Sequence, residues 1–183
     1  MAEPRTRYST VAIVLHWAIA GLVLTQIGLI VAHELVEGPM SRTYVLWHKS
    51  IGLGILGLTL MRLAWRLRTP APALPVAAPA WQNRLAWVTH LLFYVLLIGL
   101  PLAGWAASSA AGRTLDWFGL FVWPNLPVPL DRSLAGTFMD VHKAGVKLLY
   151  VLLALHVGAA LKHHLIDRDD VLGRMLPFLS RRS

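Results

Sequence analysis

The sequence has 183 residues, of which 56% are hydrophobic and only 14% charged, and its mean hydropathy is +0.58. Soluble domains usually contain about 45–50% apolar and about 25% charged residues, so this composition excludes an ordinary soluble domain and favours one membrane domain. The absence of cysteine excludes disulfides, thiolate metal sites and a CxxCH attachment motif. The formal charge of +8 fits membrane topology and anionic lipid better than nucleic-acid binding, which we do not expect.

Four apolar stretches are long enough to cross a bilayer, which takes about 20 mainly apolar residues in a helix. We expect the spans at about residues 11–33, 44–66, 83–106 and 138–162, with a basic tail at 163–183. Four spans in a chain of this length predict a single domain over residues 1–183. The predicted fold class is all-α, an integral membrane four-helix bundle.

The connections between the spans differ in composition. The segment 69–81 is rich in proline and is expected to be an extended connector. Pro101 is expected to kink or end the third helix. The long connection before the fourth helix is aromatic, and we expect it at the outer membrane interface as a lid or short amphipathic piece. The aromatic residues concerned are Trp117, Phe118, Phe121 and Trp123.

The basic residues predict the orientation of the bundle. If the N-terminus is cytoplasmic, the cytoplasmic side carries eleven of the 17 Lys and Arg residues and the opposite side carries six. Cytoplasmic loops of membrane proteins carry the excess of Lys and Arg. The sequence therefore predicts that both termini lie in the cytoplasm.

Histidines recur at defined depths in these apolar stretches. His142 and His156 are fourteen residues apart, which in an α-helix is ~21 Å along the axis and ~40° around it. In a hydrocarbon core about 30 Å thick, one imidazole then lies a short way inside each interface. His16 in the first stretch matches the depth of His156, and His48 in the second matches His142. Ionisable groups at such depths usually face the bundle interior and indicate function.

Two histidine pairs at two depths, offering only nitrogen ligands, form the pattern that two b haems with axial histidines require. We therefore predict the iron-binding pairs His16–His156 and His48–His142. Histidines that merely pack and hydrogen-bond are the alternative, and the matching depths weaken it. A closed zinc site needs about four ligands in one place. A proton relay would be expected to use membrane carboxylates, and the apolar cores of the four stretches contain no Asp or Glu.

His90 is the main alternative ligand. It lies in the third helix at the depth of His16 and His156, so it could replace either of them. As a non-ligand it could bond a haem propionate or a quinone carbonyl. The residues alone leave this choice open. His163 and His164, beside the end of the fourth span, are expected to be solvated.

Four basic residues are weaker candidates for the same sites. Arg62 and Arg66, one helical turn apart, could pair with propionates of the inner haem or act as inside-positive anchors. Lys49 and Lys143 directly follow the outer histidines and could serve propionates or an anionic reactant. We expect both lysines to form an outer site for an anion or a propionate.

Five short motifs carry a resemblance to a known family. They are "LHW" at 15–17, "HKSIG" at 48–52, "RLAWR" at 62–66, "LPLAGW" at 100–105 followed by "SSAAG", and "HKAG" at 142–145 with a second histidine fourteen residues after the first. With them, over about residues 5–178, the chain resembles the bacterial cytochrome b561 family. That family is related to the cytochrome b subunits of formate dehydrogenases and hydrogenases. The resemblance implies a four-helix cytochrome with two b haems, and it gives His90 a role other than iron ligand. The implied ligands are His16, His48, His142 and His156.

The resemblance also implies a function and a location. It implies a multi-pass protein of the bacterial inner membrane, embedded in lipid, that passes electrons between a periplasmic one-electron donor and ubiquinone. In stand-alone members the donor is superoxide, which is oxidised to oxygen, so the expected activity is that of a superoxide:ubiquinone oxidoreductase. The partners implied are quinone, a small anionic oxidant or reductant, and a partner redox protein. The alternative is the diheme membrane-anchor subunit of a larger quinone-linked dehydrogenase or hydrogenase.

Overall fold

The computed structural model describes residues 7–69, 72 and 80–179, and four long helices make up most of it. They are α1 (Thr10–Leu35), α2 (Pro39–Arg68), α3 (Ala80–Ala110) and α4 (Arg132–Lys162). Each is long and apolar enough to span a membrane. The predicted all-α four-helix membrane bundle is therefore confirmed. Most of the proline-rich connector lies outside the described residues.

Capping residues explain where the helices begin. The side chain of Ser9 accepts a hydrogen bond from the Ala12 N–H at the start of α1. The Asp131 carboxylate accepts from two N–H groups at the start of α4, and Pro39 occupies the first position of α2. Both α2 and α4 begin several residues before the expected spans at 44 and 138, because these caps lie outside the apolar stretches that hydropathy detects.

Pro101 does not end α3, so that part of the expectation is wrong. The helix continues through Pro101 to Ala110. Membrane helices tolerate such prolines because neighbouring groups take up the freed backbone hydrogen bonds. The helix ends just before Gly112, which has a φ of +66° and donates its N–H to the Ser109 carbonyl at 3.0 Å. Glycine is the residue that adopts this left-handed conformation without strain.

The helices pack as two antiparallel pairs. In the α1/α2 pair, the Arg62 guanidinium donates to the Ala12 carbonyl near one end, and the Gln26 amide donates to the His48 carbonyl near the other. One buried cluster lies within the α1/α2 pair and contains Ile19, Val23 and Ile55. A second lies within the α3/α4 pair and contains Leu96, Leu100, Leu149 and Leu152. We call the side where α1 begins and α4 ends the terminal face.

The opposite side, the hairpin face, carries a small β-hairpin of β1 (Leu115–Trp117) and β2 (Phe121–Trp123). Ser50 fixes it to α2: its hydroxyl bonds the Asp116 carbonyl at 3.1 Å and accepts from the Phe118 N–H at 3.1 Å. Ser50 is 0% exposed and lies only two residues after His48. The hairpin therefore reaches to the depth of His48, where its backbone is satisfied by protein, as the bilayer requires. Its tip residue Leu120 is 73% exposed.

The described part of the tail folds back over the terminal face. The Trp17 indole N–H donates to the Met175 carbonyl at 2.9 Å, which joins the tail to α1. A π-helical turn, His163–Asp167, starts this return. Two contacts hold this turn: Lys162 pairs with Asp167 at 2.6 Å, and His163 Nδ1 bonds the Asp169 carboxylate at 2.6 Å. His163, expected to be solvated, is thus half-buried and paired.

Candidate functional site

The structure brings His48 and His142 together near the hairpin face, with 6.1 Å between their ring centroids. α2 supplies the first ring and α4 the second. His142 Nδ1 donates to the Leu100 carbonyl on α3 at 2.9 Å, which fixes the ring and leaves Nε2 for a ligand. Gly104 makes this contact possible, since a Cβ there would stand 3.3 Å from His142 Nδ1.

The surroundings of His48 differ from those of His142. His48 Nδ1 is enclosed by protein and has no hydrogen-bond partner among the described residues. Because this nitrogen is shut away from any cleft, Nε2 is the one left to face a ligand. The His48 carbonyl accepts from the Gln26 amide at 2.8 Å. Both rings of this pair therefore offer Nε2.

Three histidines meet near the terminal face. The ring centroids of His16 and His156 are 6.3 Å apart, and those of His90 and His156 are 6.0 Å apart. Phe93 lies against His156, with centroids 5.1 Å apart. The structure thus brings His16 and His156 together as the sequence predicts, but it brings His90 equally close.

The separations within the pairs suit a metal held between two imidazoles. Imidazole nitrogens bind metals at about 2 Å, and each ring centre lies roughly 1 Å beyond its nitrogen, so two rings on opposite sides of one metal have centres about 6 Å apart. Axial side-chain ligands above and below the ring are what haem iron takes. The pairs at 6.1 and 6.3 Å meet this requirement. The donor set fits haem b, since without cysteine there is no thiolate and no covalent attachment.

The helix packing separates the two possible pairs at the terminal face. His16–His156 and His48–His142 each run from the α1/α2 pair of helices to α4. His90–His156, in contrast, lies within the α3/α4 pair, which leucines hold closely together. The haem macrocycle is broad and planar, so it needs a gap between helices and does not fit an interface that leucine side chains fill. Among the described residues, a Cβ added at Gly54, Gly57 or Gly158 would meet no atom within 4 Å, so no side chain covers the backbone of α2 and α4 at these points.

Arg62 and Arg66 line a small pocket at the terminal face, together with Tyr8, Trp65 and Tyr94. Arg62 is half-buried and donates to the Ala12 carbonyl at 2.6 Å, so part of its hydrogen-bonding capacity already joins α1 to α2. Arg66 lies one turn further along the same pocket. The pocket therefore presents two cations and two phenols at the end of the bundle where His16 lies.

The lysines next to the hairpin-face histidines differ in exposure. Lys49 is half-buried and Lys143 is exposed. Three further basic side chains on this face are exposed, namely Arg42, Arg113 and Arg132. The hairpin face thus carries a group of cations around the His48–His142 pair, with no resolved ion pair among the five in the described residues.

The structure adds site residues that the sequence did not single out as such. The Leu100 carbonyl and Gly104 orient His142, and Gln26 contacts the backbone of His48. Gln26 did carry a signal, because an amide in the middle of an apolar span is costly without a partner. The role of Leu100 carries no sequence signal, since it acts through its backbone.

Comparison with known proteins agrees with this architecture. The family model described as "Prokaryotic cytochrome b561" matches residues 7–178. "Cytochrome b561 homolog 1" of Escherichia coli (strain K12) is 30% identical over 175 residues, covering 93% of this chain and 97% of that protein. "Probable superoxide oxidase CybB" of Yersinia pestis is 33% identical over 177 residues, covering 93% and 96%. "Cytochrome b561 homolog 2" of E. coli is 34% identical over 176 residues, covering 93% and 91%.

These matches extend over nearly the whole chain and include every element of the bundle. They imply haem b, electron transport and a multi-pass position in the inner membrane. The chain belongs to the prokaryotic cytochrome b561 family.

Proposed function

We propose that the chain is a diheme membrane oxidoreductase that takes single electrons from superoxide at the hairpin face and delivers them to ubiquinone. The observation that carries the proposal is the pair of histidine contacts, 6.1 and 6.3 Å between ring centroids, at two depths of one bundle. The activity that the Y. pestis relative is named for supports superoxide as donor. One domain, residues 1–183, would hold both haems.

The ligand assignment follows from which helices each histidine pair joins. His48 and His142 would hold the hairpin-face haem through their Nε2 atoms, with His142 oriented by the Leu100 carbonyl. His16 and His156 would hold the terminal-face haem. His90 would then be free to donate a hydrogen bond to a propionate or a quinone carbonyl. Each haem, when bound, would accept and release one electron, so two haems together match the two electrons that reduce a quinone.

The helix geometry sets the distance that electrons must cover. His142 and His156 are fourteen residues apart on α4, so their heights differ by ~21 Å. Helix α4 contributes one ligand to each site and forms the shared wall between them. Reduction of quinone also consumes protons. Arg62 and Tyr94 line the terminal-face pocket, and their polar side chains would let protons reach a quinone bound at that end of the bundle.

Electrostatics would bring the donor to the hairpin face. Superoxide is a small anion, and the five basic side chains on this face, including Lys49 and Lys143, would concentrate it next to the His48–His142 pair. His48 and His142 would hold the haem here, and the haem would supply a one-electron acceptor for the donor. By the positive-inside rule the terminal face would lie in the cytoplasm and the hairpin face in the periplasm.

The proposal predicts superoxide-driven reduction of a soluble ubiquinone analogue by the purified protein in detergent. The rate should disappear when superoxide dismutase is added, and it should fall as ionic strength rises because steering is screened. Replacing Lys49 and Lys143 together by glutamine should lower the second-order rate by several-fold. Arg84→Gln, a charge removal on the terminal face, should leave the rate unchanged.

Two outcomes would contradict this function. A quinone reduction rate that superoxide dismutase does not change would remove superoxide as donor. Co-purification of catalytic or iron–sulfur subunits, together with the absence of superoxide-driven reduction by the chain alone, would instead identify a membrane-anchor subunit. Equal rates for the lysine variant and Arg84→Gln would show that the cations of the hairpin face do not guide the donor.

A further inference from the structure

Gln26 is a carboxamide in the middle of the apolar helix α1, and it contacts one of the proposed iron ligands. Its Nε2 donates to the His48 carbonyl at 2.8 Å. Because a carbonyl only accepts, the amide must place its nitrogen on this contact, and its Oε1 is left for another partner. Gly52 borders the amide: a Cβ at Gly52 would stand 3.4 Å from Nε2. The amide is thus held against the backbone of α2, directly beside His48.

Two buried polar atoms, one on the side chain of each of these residues, have no partner among the described residues. They are Gln26 Oε1 and His48 Nδ1, and both are enclosed by protein. If His48 binds iron through Nε2, its Nδ1 carries a hydrogen and is a donor, whereas the amide oxygen is an acceptor. The two unsatisfied atoms are therefore complementary. Leaving both unpaired in a membrane interior would be costly.

His142, the other ligand of the same pair, shows what His48 lacks. Its Nδ1–H is bonded directly to the Leu100 carbonyl at 2.9 Å. Metal-binding histidines almost always donate this second ring N–H to a carboxylate, a carbonyl or a water, which fixes the ring and increases its basicity. His48 needs an equivalent acceptor, and the Gln26 amide is the polar group already attached to the same residue.

We propose that Gln26 is a positioning residue for the hairpin-face haem: its nitrogen holds the His48 carbonyl, and its oxygen is the acceptor for the His48 Nδ1–H when iron holds the ring. The inference rests on the proposed function, in which His48 binds iron. The two ligands of this haem are then oriented by different acceptors, a backbone carbonyl for His142 and a side-chain amide for His48.

The redox potential of one haem reports this hydrogen bond. An acceptor on Nδ1–H makes the imidazole a stronger electron donor and stabilises ferric iron, which lowers the midpoint potential. Gln26→Met keeps the size of the side chain and removes both hydrogen bonds, so it should raise the potential of the hairpin-face haem. Gln26→Glu keeps an acceptor and should leave that potential at or below the wild-type value. Neither variant should move the potential of the terminal-face haem.

The experiment is a redox titration of the purified full-length protein, with haem content measured on the same samples. The hairpin-face haem is identified as the one lost in His142→Ala. Thr25→Val is the matched control, because Thr25 is the neighbouring polar residue on α1, is exposed, and bonds only the Gly21 carbonyl of its own helix. The control should leave both potentials unchanged. The low-temperature EPR signal of the oxidised hairpin-face haem should change in Gln26→Met and not in Thr25→Val.

Each outcome decides the inference. Unchanged potentials in Gln26→Met, a shift shared equally by both haems, or the same shift in Thr25→Val would overturn it. If Gln26→Met loses the hairpin-face haem, retention of that haem in Gln26→Glu supports the role of the acceptor oxygen, and its loss in both variants overturns it. Fewer than two haems in the wild-type protein would contradict the proposed function instead, so the two failures are distinguishable.

Discussion

Replacing His142 by alanine is expected to leave the purified protein with one b haem instead of two. The ring of His142 lies 6.1 Å from that of His48 between centroids, and the Leu100 carbonyl orients it. The variant would therefore remove one of the two residues that hold the hairpin-face haem. His48→Ala should have the same effect, because it removes the opposite ligand of the same iron. The measurement is the ratio of extracted haem to protein in each purified variant.

A histidine outside the pairs provides the control for this loss. His33 lies at the end of α1 towards the hairpin face, and its Nδ1 is bonded to the Ser41 hydroxyl at 2.7 Å. His33→Ala should therefore retain both haems. Retention of both haems in His142→Ala would contradict the ligand assignment, and an equal loss in His33→Ala would show that the bundle simply tolerates no change at this face.

The second large effect is expected at the terminal face, where His156→Ala should lose one haem and His90→Ala should keep both. His156 is the histidine shared by both possible pairs, at 6.3 Å from His16 and 6.0 Å from His90 between ring centroids. Only the pair with His16 joins the two helix pairs, across which a planar ring can lie. His16→Ala should therefore lose the same haem as His156→Ala.

Optical spectra and haem ratios of the three variants, His16→Ala, His90→Ala and His156→Ala, distinguish the assignments. If His90→Ala loses a haem while His16→Ala keeps both, the iron lies within the α3/α4 pair and the assignment of His16 is wrong. If His90 instead bonds a propionate or quinone, His90→Ala should retain both haems and slow only the delivery of electrons to quinone.

The bundle could be predicted because it depends on hydropathy, which the sequence shows directly. Four apolar stretches at sufficient length leave few alternatives in a membrane. The early start of α2 at Pro39 and the end of α3 at Ala110, rather than near residue 106, were not predicted. Both depend on caps and on tertiary contacts, which a hydropathy pattern does not contain. The β-hairpin was expected only as an interfacial lid, and its attachment through Ser50 depends on a contact between residues 66 positions apart.

The candidate site could likewise be predicted from the sequence only in part. Helical periodicity places His142 and His156 on one face, and depth matching pairs them with His48 and His16. Depth alone could not rank His90, because it lies at the same level as His16, and the structure is needed to show that it lies within the other helix pair. The contact of Gln26 with the His48 carbonyl was also out of reach, since the register between α1 and α2 decides it.

The most direct test of the two-site account is the haem-to-protein ratio of the wild-type protein, measured with a redox titration of the same sample. The account predicts two extractable b haems per chain that titrate as two one-electron centres, one of them absent in His142→Ala and the other in His156→Ala. A ratio of one haem per chain, or a protein purified without haem that binds none on addition, would contradict it.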